Sequence, residues 1–135
     1  MIDASVLASA AAGHPASPSR RLFNALAEGR IEAVLCEGIL QELNRALDRP
    51  YFAARVTTSE REAVVAVLRA AADMHKDPVA PPKLLRDPND DYLVALARSA
   101  RVDAIVTGDH DLLDHPGLAP PALTPRAACK RFGLS

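Results

Sequence analysis

Asp3 and Asp109 are the side chains whose settings most invite chemistry. Asp3 follows the apolar pair Met1-Ile2, and Asp109 follows the run Ala104-Ile105-Val106-Thr107-Gly108, so each carboxylate stands where a strand-forming segment ends. A carboxylate at the end of a buried strand needs a partner, because desolvating an unpaired charge is expensive. Asp91 stands at the start of the helical segment leading into the second of these strands. Glu42, at about 100° per residue, falls on the flank of the apolar stripe Ile39, Leu43 and Ala46. Drawn together, such carboxylates repel: unit charges ~4 Å apart interact by about 4 kcal/mol even at an effective dielectric near 20. A cation among them removes that repulsion, and an all-oxygen donor set without His or Cys suits the hard ions Mg2+ or Mn2+. Such ions acidify bound water and neutralise a leaving oxygen, which is the chemistry needed to open a phosphate ester. The neighbouring acids read differently. Asp87 reads as a helix cap, Asp90 as a first-turn charge or an alternative to Asp91, and Asp111 as a cap or auxiliary ligand. His14 and His110 fall in loops and read as solvated.

These acids are far apart in the chain, so regular elements have to bring them together. The small apolar stretch 4–12 reads as the end of a short strand running into a loop or helix. A helix is expected from Ser19 through Leu22, Phe23 and Leu26 to a stop at Gly29, then a buried strand over 31–36. Ile39, Leu40, Leu43 and Leu47 form a second helical stripe that ends near Arg49-Pro50. Thr57-x-x-Glu60 and Ser59-x-x-Glu62 both fit a capping box for a helix running to about Asp73, and a short strand is expected over 75–79. Pro78, Pro81 and Pro82 mark an exposed connection before Asp87-Pro88, a cap and first-turn pair for the next helix. A buried strand over 104–107, a weak strand at Ala122-Leu123 and a helix from Thr124-Pro125 to about Phe132 complete the chain. Alternating strands and helices with nearly continuous apolar strands predict a three-layer α/β/α sandwich around a central parallel sheet. In such sheets functional residues collect at the carboxyl ends of the strands, where Asp3 and Asp109 fall.

Length and composition bound the rest. A chain of 135 residues with 49% hydrophobic content forms one domain, 1–135, with a real core. Cys36 and Cys129, without CxxC or Cys/His spacing, are expected as buried reduced thiols rather than a disulfide or zinc site. No apolar run approaches a membrane span and Met1-Ile2-Asp3 lacks a basic leader, so a cytoplasmic protein is expected. With a net charge of -1, any attraction for nucleic acid is local, drawn from cations such as Arg20, Arg21, Arg30, Arg45, Arg49, Lys83, Arg86, Arg126, Lys130 and Arg131.

Four blocks in order resemble one family: Asp3-Ala4-Ser5-Val6-Leu7, Gln41-Glu42-Leu43 with Leu47, Arg86-Asp87-Pro88-Asn89-Asp90-Asp91-Tyr92-Leu93-Val94-Ala95-Leu96-Ala97, and Val106-Thr107-Gly108-Asp109-His110-Asp111-Leu112-Leu113. Together they resemble the PIN-domain family, in particular the VapC-like toxins of bacterial toxin-antitoxin pairs. The resemblance implies an endoribonuclease dependent on Mg2+ or Mn2+, commonly a homodimer, acting on RNA and restrained by a cognate antitoxin. It places the family's four acids, catalytic and metal-holding, on Asp3, Glu42, Asp91 and Asp109. Asp91 is preferred to Asp90 because Ala95 stands four residues beyond it. Ser5 stands where the family usually has Asn, and Thr107 matches the polar residue two before the last acid. Two other readings compete. One is a PIN-like domain that binds RNA or protein without cutting. The other is a haloacid-dehalogenase-like phosphohydrolase built on Asp3 and Asp109 with Asp114, although Ser5 stands where that chemistry needs a second Asp.

Overall fold

A computed structural model describes residues 1–79 and 88–134. The expected cap Asp87, the cations Lys83 and Arg86, and Pro81-Pro82 lie outside the described residues. The first helix, α1, spans Ala4–Ala12 and begins directly after Asp3, whose extended backbone (φ -67°, ψ 148°) makes it the last residue outside the helix. The stretch expected as a strand end is therefore almost all helix. Only Ile2 is left to pair, in a parallel bridge with Val106.

The start and stop signals of the second helix are local. In α2, Pro18–Ala27, the Ser17 hydroxyl accepts from Arg20 N at 3.2 Å, and Pro18 occupies the first helical position without losing a hydrogen bond. Gly29, at φ +74°, turns the chain out of the helix while Gly29 N donates to Leu26 O and Arg30 N to Ala25 O. That paired closure needs a left-handed residue, which glycine supplies without a Cβ clash.

Strand β1 covers only Val34–Cys36, shorter than the run 31–36, and leads straight into α3, Glu37–Leu47. Ile39, Leu40, Leu43 and Leu47 of α3 are all buried, and each such side chain contributes roughly 1.5–3 kcal/mol relative to exposure. A four-residue helix that the sequence reading omits, α4 at Pro50–Ala53, follows. Helix α5, Thr58–Ala71, has a complete capping box: Glu60 N donates to Thr57 Oγ1 and Thr57 N to Glu60 Oε1. It stops two residues before the expected end because the chain turns into β2, Asp73–His75, which replaces the strand expected over 75–79. Pairing fixes that register: Val34, Leu35 and Cys36 align in parallel with Asp73, Met74 and His75.

Helix α6, Pro88–Ser99, packs against β3, Ile105–Val106. A short α7, His110–Leu113, leaves the end of β3, and β4, Ala122–Leu123, pairs with β3 in parallel before α8, Pro125–Arg131. Val106 thus has Ile2 as a partner and Leu123 as another. The core is aliphatic: the largest fully buried side chains are leucines and isoleucines. Cys36 and Cys129 are both buried and unlinked. The fold is α/β with parallel strand pairs and short strands, and among the described residues no helix is long and apolar enough to cross a membrane.

Candidate metal centre

Two neighbouring strand ends start the site. Val106 N donates to Met1 O at 2.8 Å and Asp3 N to Val106 O at 2.9 Å, so the chain leaves both segments side by side. Thr107 then lies within reach of Asp3. Its fully buried hydroxyl donates to Asp3 Oδ2 at 2.9 Å and accepts from Asp109 N at 3.1 Å. Ser5 Oγ donates to the same Asp3 oxygen at 3.2 Å. Asp109 caps α7 by accepting from Asp111 N at 2.9 Å, which turns Asp111 back towards it.

Asp90, Asp109 and Asp111 complete the convergence. Each offers a carboxylate oxygen, and these three oxygens lie within 4.8 Å of one another, with Asp90 buried, Asp109 half-buried and Asp111 exposed. Asp90 and Asp109 also line a cavity of about 510 Å³ whose wall includes Asp3, Ser5 and Glu42. Glu42 is paired with Arg45, which donates to Oε1 at 2.8 Å. The structure therefore gathers Asp3, Glu42 and Asp109 around one hollow. Asp91 is buried as well but is absent from the lining, where Asp90 stands. Successive residues of a helix point about 100° apart, so one of an adjacent pair takes a given direction. The burial of α6 matches the Asp90 register: Val94 and Ala97, four and seven residues on, are buried, whereas Ala95, four after Asp91, is only half-buried.

One wall of the cavity was not legible as chemistry in the sequence. Tyr92 Oη lies 2.9 Å from Cys36 Sγ, and Asp77 Oδ1 accepts from Gly38 N at 3.1 Å. Hydrogen bonding from the Cys36 thiol holds the Asp77 carboxyl below its ordinary value. Burial pushes the Cys36 thiol and the Tyr92 phenol up, so both stay protonated. A Cβ at Gly38 would collide with Tyr92 Oη, which gives the only local signal: a glycine inside the first turn of a helix, a position it does not favour. His14 and His110 are both exposed; His14 lies in a loop as expected, whereas His110 is the first residue of α7 rather than a loop residue.

Oxygen donors alone, three carboxylates close together and more in the wall of the same cavity, fit a hard divalent cation rather than zinc. Comparison with known proteins adds the family. No curated protein matches the chain. The PIN domain model matches residues 1–111, which include Asp3, Glu42, Asp90 and Asp109. With 111 of its 135 residues matched in this way, the chain belongs to the PIN-domain family, whose members are typically metal-dependent nucleases that bind RNA.

Proposed function

We propose that this protein is an endoribonuclease that uses Mg2+ or Mn2+, held by Asp90 and Asp109 with Asp3 and Glu42 beside them and Asp111 in an auxiliary place. The observation that carries the reading is the approach of the Asp90, Asp109 and Asp111 oxygens to within 4.8 Å at a cavity that also takes in Asp3 and Glu42. When bound, the cation polarises the scissile phosphate and makes a water available for attack. The chain's own groups do the positioning. Thr107 and Ser5 hold Asp3 Oδ2, and Arg45 holds Glu42 Oε1, so the other oxygen of Glu42 is left to order the attacking water. Water attacks phosphorus, the bond to the ribose 3' oxygen breaks, and the products carry 5'-phosphate and 3'-hydroxyl ends. Asp91 stays in the first turn of α6, where a carboxylate favours the helix amino end.

The order of the acidic blocks, similar to that of VapC-like toxins, supports a finer reading: the toxin of a toxin-antitoxin pair, a cytoplasmic homodimer restrained by a cognate antitoxin. Incubation of a mixed RNA pool with Mn2+ tests the activity. Cleavage is expected with wild type and absent with Asp109→Asn or in EDTA. Equal cleavage in all three, or products ending in 2',3'-cyclic phosphate, would sink the proposal.

A further inference from the structure

The cavity that holds the acids is also walled by α1 and α3, and its lining carries charges of both signs. Asp3, Glu42, Asp77, Asp90 and Asp109 share its lining with Arg45, which pairs with Glu42, and with Arg49 and Phe52. Arg45 stands three residues past Glu42, about 4.5 Å along the helix axis, and Arg49 follows the end of α3 at Leu47. The facing side of the groove is built from small residues, Ala4, Ser5, Ala8 and Ser9, which leave it open.

The short helix α4 follows Arg49 directly, and its Phe52 lines the cavity. Tyr51 is 59% exposed and packs edge to face on Phe52, with ring centroids 5.1 Å apart at 86°. The Arg55 guanidinium carbon lies 3.8 Å from the centre of the Tyr51 ring, and Arg55 also donates to Tyr51 O at 2.8 Å, so the stack is fixed from both sides of the residue. Phe52 packs against the hydrophobic core, whereas Tyr51 stands outside it. The Tyr51 ring is thus anchored on one side through Phe52 and Arg55 while most of it faces solvent.

We infer that α4, with Arg45, Arg49 and Arg55 around it, is a platform for single-stranded RNA: the arginines hold phosphates on one side of the scissile bond and Tyr51 stacks an unpaired base. The inference rests on the ribonuclease reading for its ligand. Charge complementarity favours a polyanion here, because a molecule of net charge -1 attracts one only where its cations gather. The aromatic ring selects the single strand, since bases within a duplex are already stacked and offer no face.

The test measures binding without cleavage. A fluorescent single-stranded 12-nucleotide RNA is titrated in EDTA with the full chain and followed by anisotropy, beside a duplex of the same sequence. Tyr51→Ala and Arg55→Ala are expected to weaken single-strand binding about tenfold, Tyr51→Phe to restore it, and Arg49→Ala to lower the salt slope by ~0.7. In a Tyr92→Phe background Tyr51 is the sole tyrosine, and its emission should be quenched by the single strand. Thermal melting confirms that each variant is folded. Wild type that binds no single strand, or binds the duplex equally well, overturns the platform, as does Tyr51→Ala binding like wild type. Because the readout needs no metal, these results are separate from those for Asp109→Asn: cleavage that persists in that variant ends the nuclease proposal and leaves the platform to its own binding data.

Discussion

Thr107 Oγ1 donates to Asp3 Oδ2 across 104 residues of sequence at 2.9 Å, and the same hydroxyl accepts from Asp109 N. One fully buried side chain thereby ties together the acids that end two neighbouring parallel segments. Thr107→Val keeps the shape and removes both bonds. Leaving buried polar groups without a partner costs about 1–3 kcal/mol, and loss of a supporting shell typically weakens metal binding about 10- to 100-fold. Calorimetric Mn2+ titration and thermal melting check this, with Thr107→Ser expected to recover both. A Thr107→Val protein that binds Mn2+ like wild type would remove the hydroxyl from the design of the site.

The identity of the third acid is open to direct measurement. Asp90→Asn is expected to reduce Mn2+ affinity and cleavage by about a hundredfold or more, beyond the loss from an outer-shell change. Asp91→Asn should retain both and lower the melting temperature slightly through its place in the first turn of α6. The opposite ranking would return the role to Asp91.

Arg45 is expected to influence the two ligands in opposite directions. Its exposed pair with Glu42 is worth ~0–1 kcal/mol, so Arg45→Gln releases Glu42 and tightens Mn2+ binding by up to about fivefold. The same change weakens RNA binding in EDTA, because a phosphate partner is gone. Parallel losses of both affinities would contradict this division.

Gly38 and Tyr92 should show strong coupling. Gly38→Ala forces a Cβ into Tyr92 Oη and is expected to destabilise the fold by about 1–3 kcal/mol. Tyr92→Phe removes the colliding oxygen, so the double variant is expected to lose less than the sum of the singles in urea unfolding. Simple additivity would show that the two residues do not press on each other.

Alkaline pH should destabilise the protein through its buried thiols. Burial raises Cys36 and Cys129 above their ordinary value of 9.0, with Tyr92 pushed up in the same way from 10.0. Above pH 9 the unfolded chain loses thiol protons that the folded chain keeps, so it binds fewer protons and stability falls as pH rises. Melting temperatures between pH 8 and 10.5 should drop more steeply for wild type than for the Cys36→Ala, Cys129→Ala double variant. Superimposable slopes would mean that the thiols titrate alike in both states.

Much of this molecule is written in local sequence. The capping box Thr57 with Glu60 and the pair Thr124-Pro125 each bond to backbone within three residues, so they act before tertiary structure exists and mark helix starts closely, while Ser17-Pro18 caps α2 one residue ahead of the start expected at Ser19. The apolar stripe Ile39, Leu40, Leu43 and Leu47 declares its buried face in the same way. The acidic strand ends at Asp3 and Asp109 were legible because a carboxylate after an apolar run has few structural uses. Strand limits were less so: β2 begins at Asp73 because Val34 pairs with it there, and α4 depends on where the chain leaves α3. The choice between Asp90 and Asp91 likewise could not be settled by types or spacing, since adjacent acids on one helix differ only in direction. The packing of α6 on β3 brings the Asp90 carboxylate towards Asp109, just as the distant partners of Cys36, Tyr92 and Asp77 acquire their meaning only where three separate segments close on one cavity.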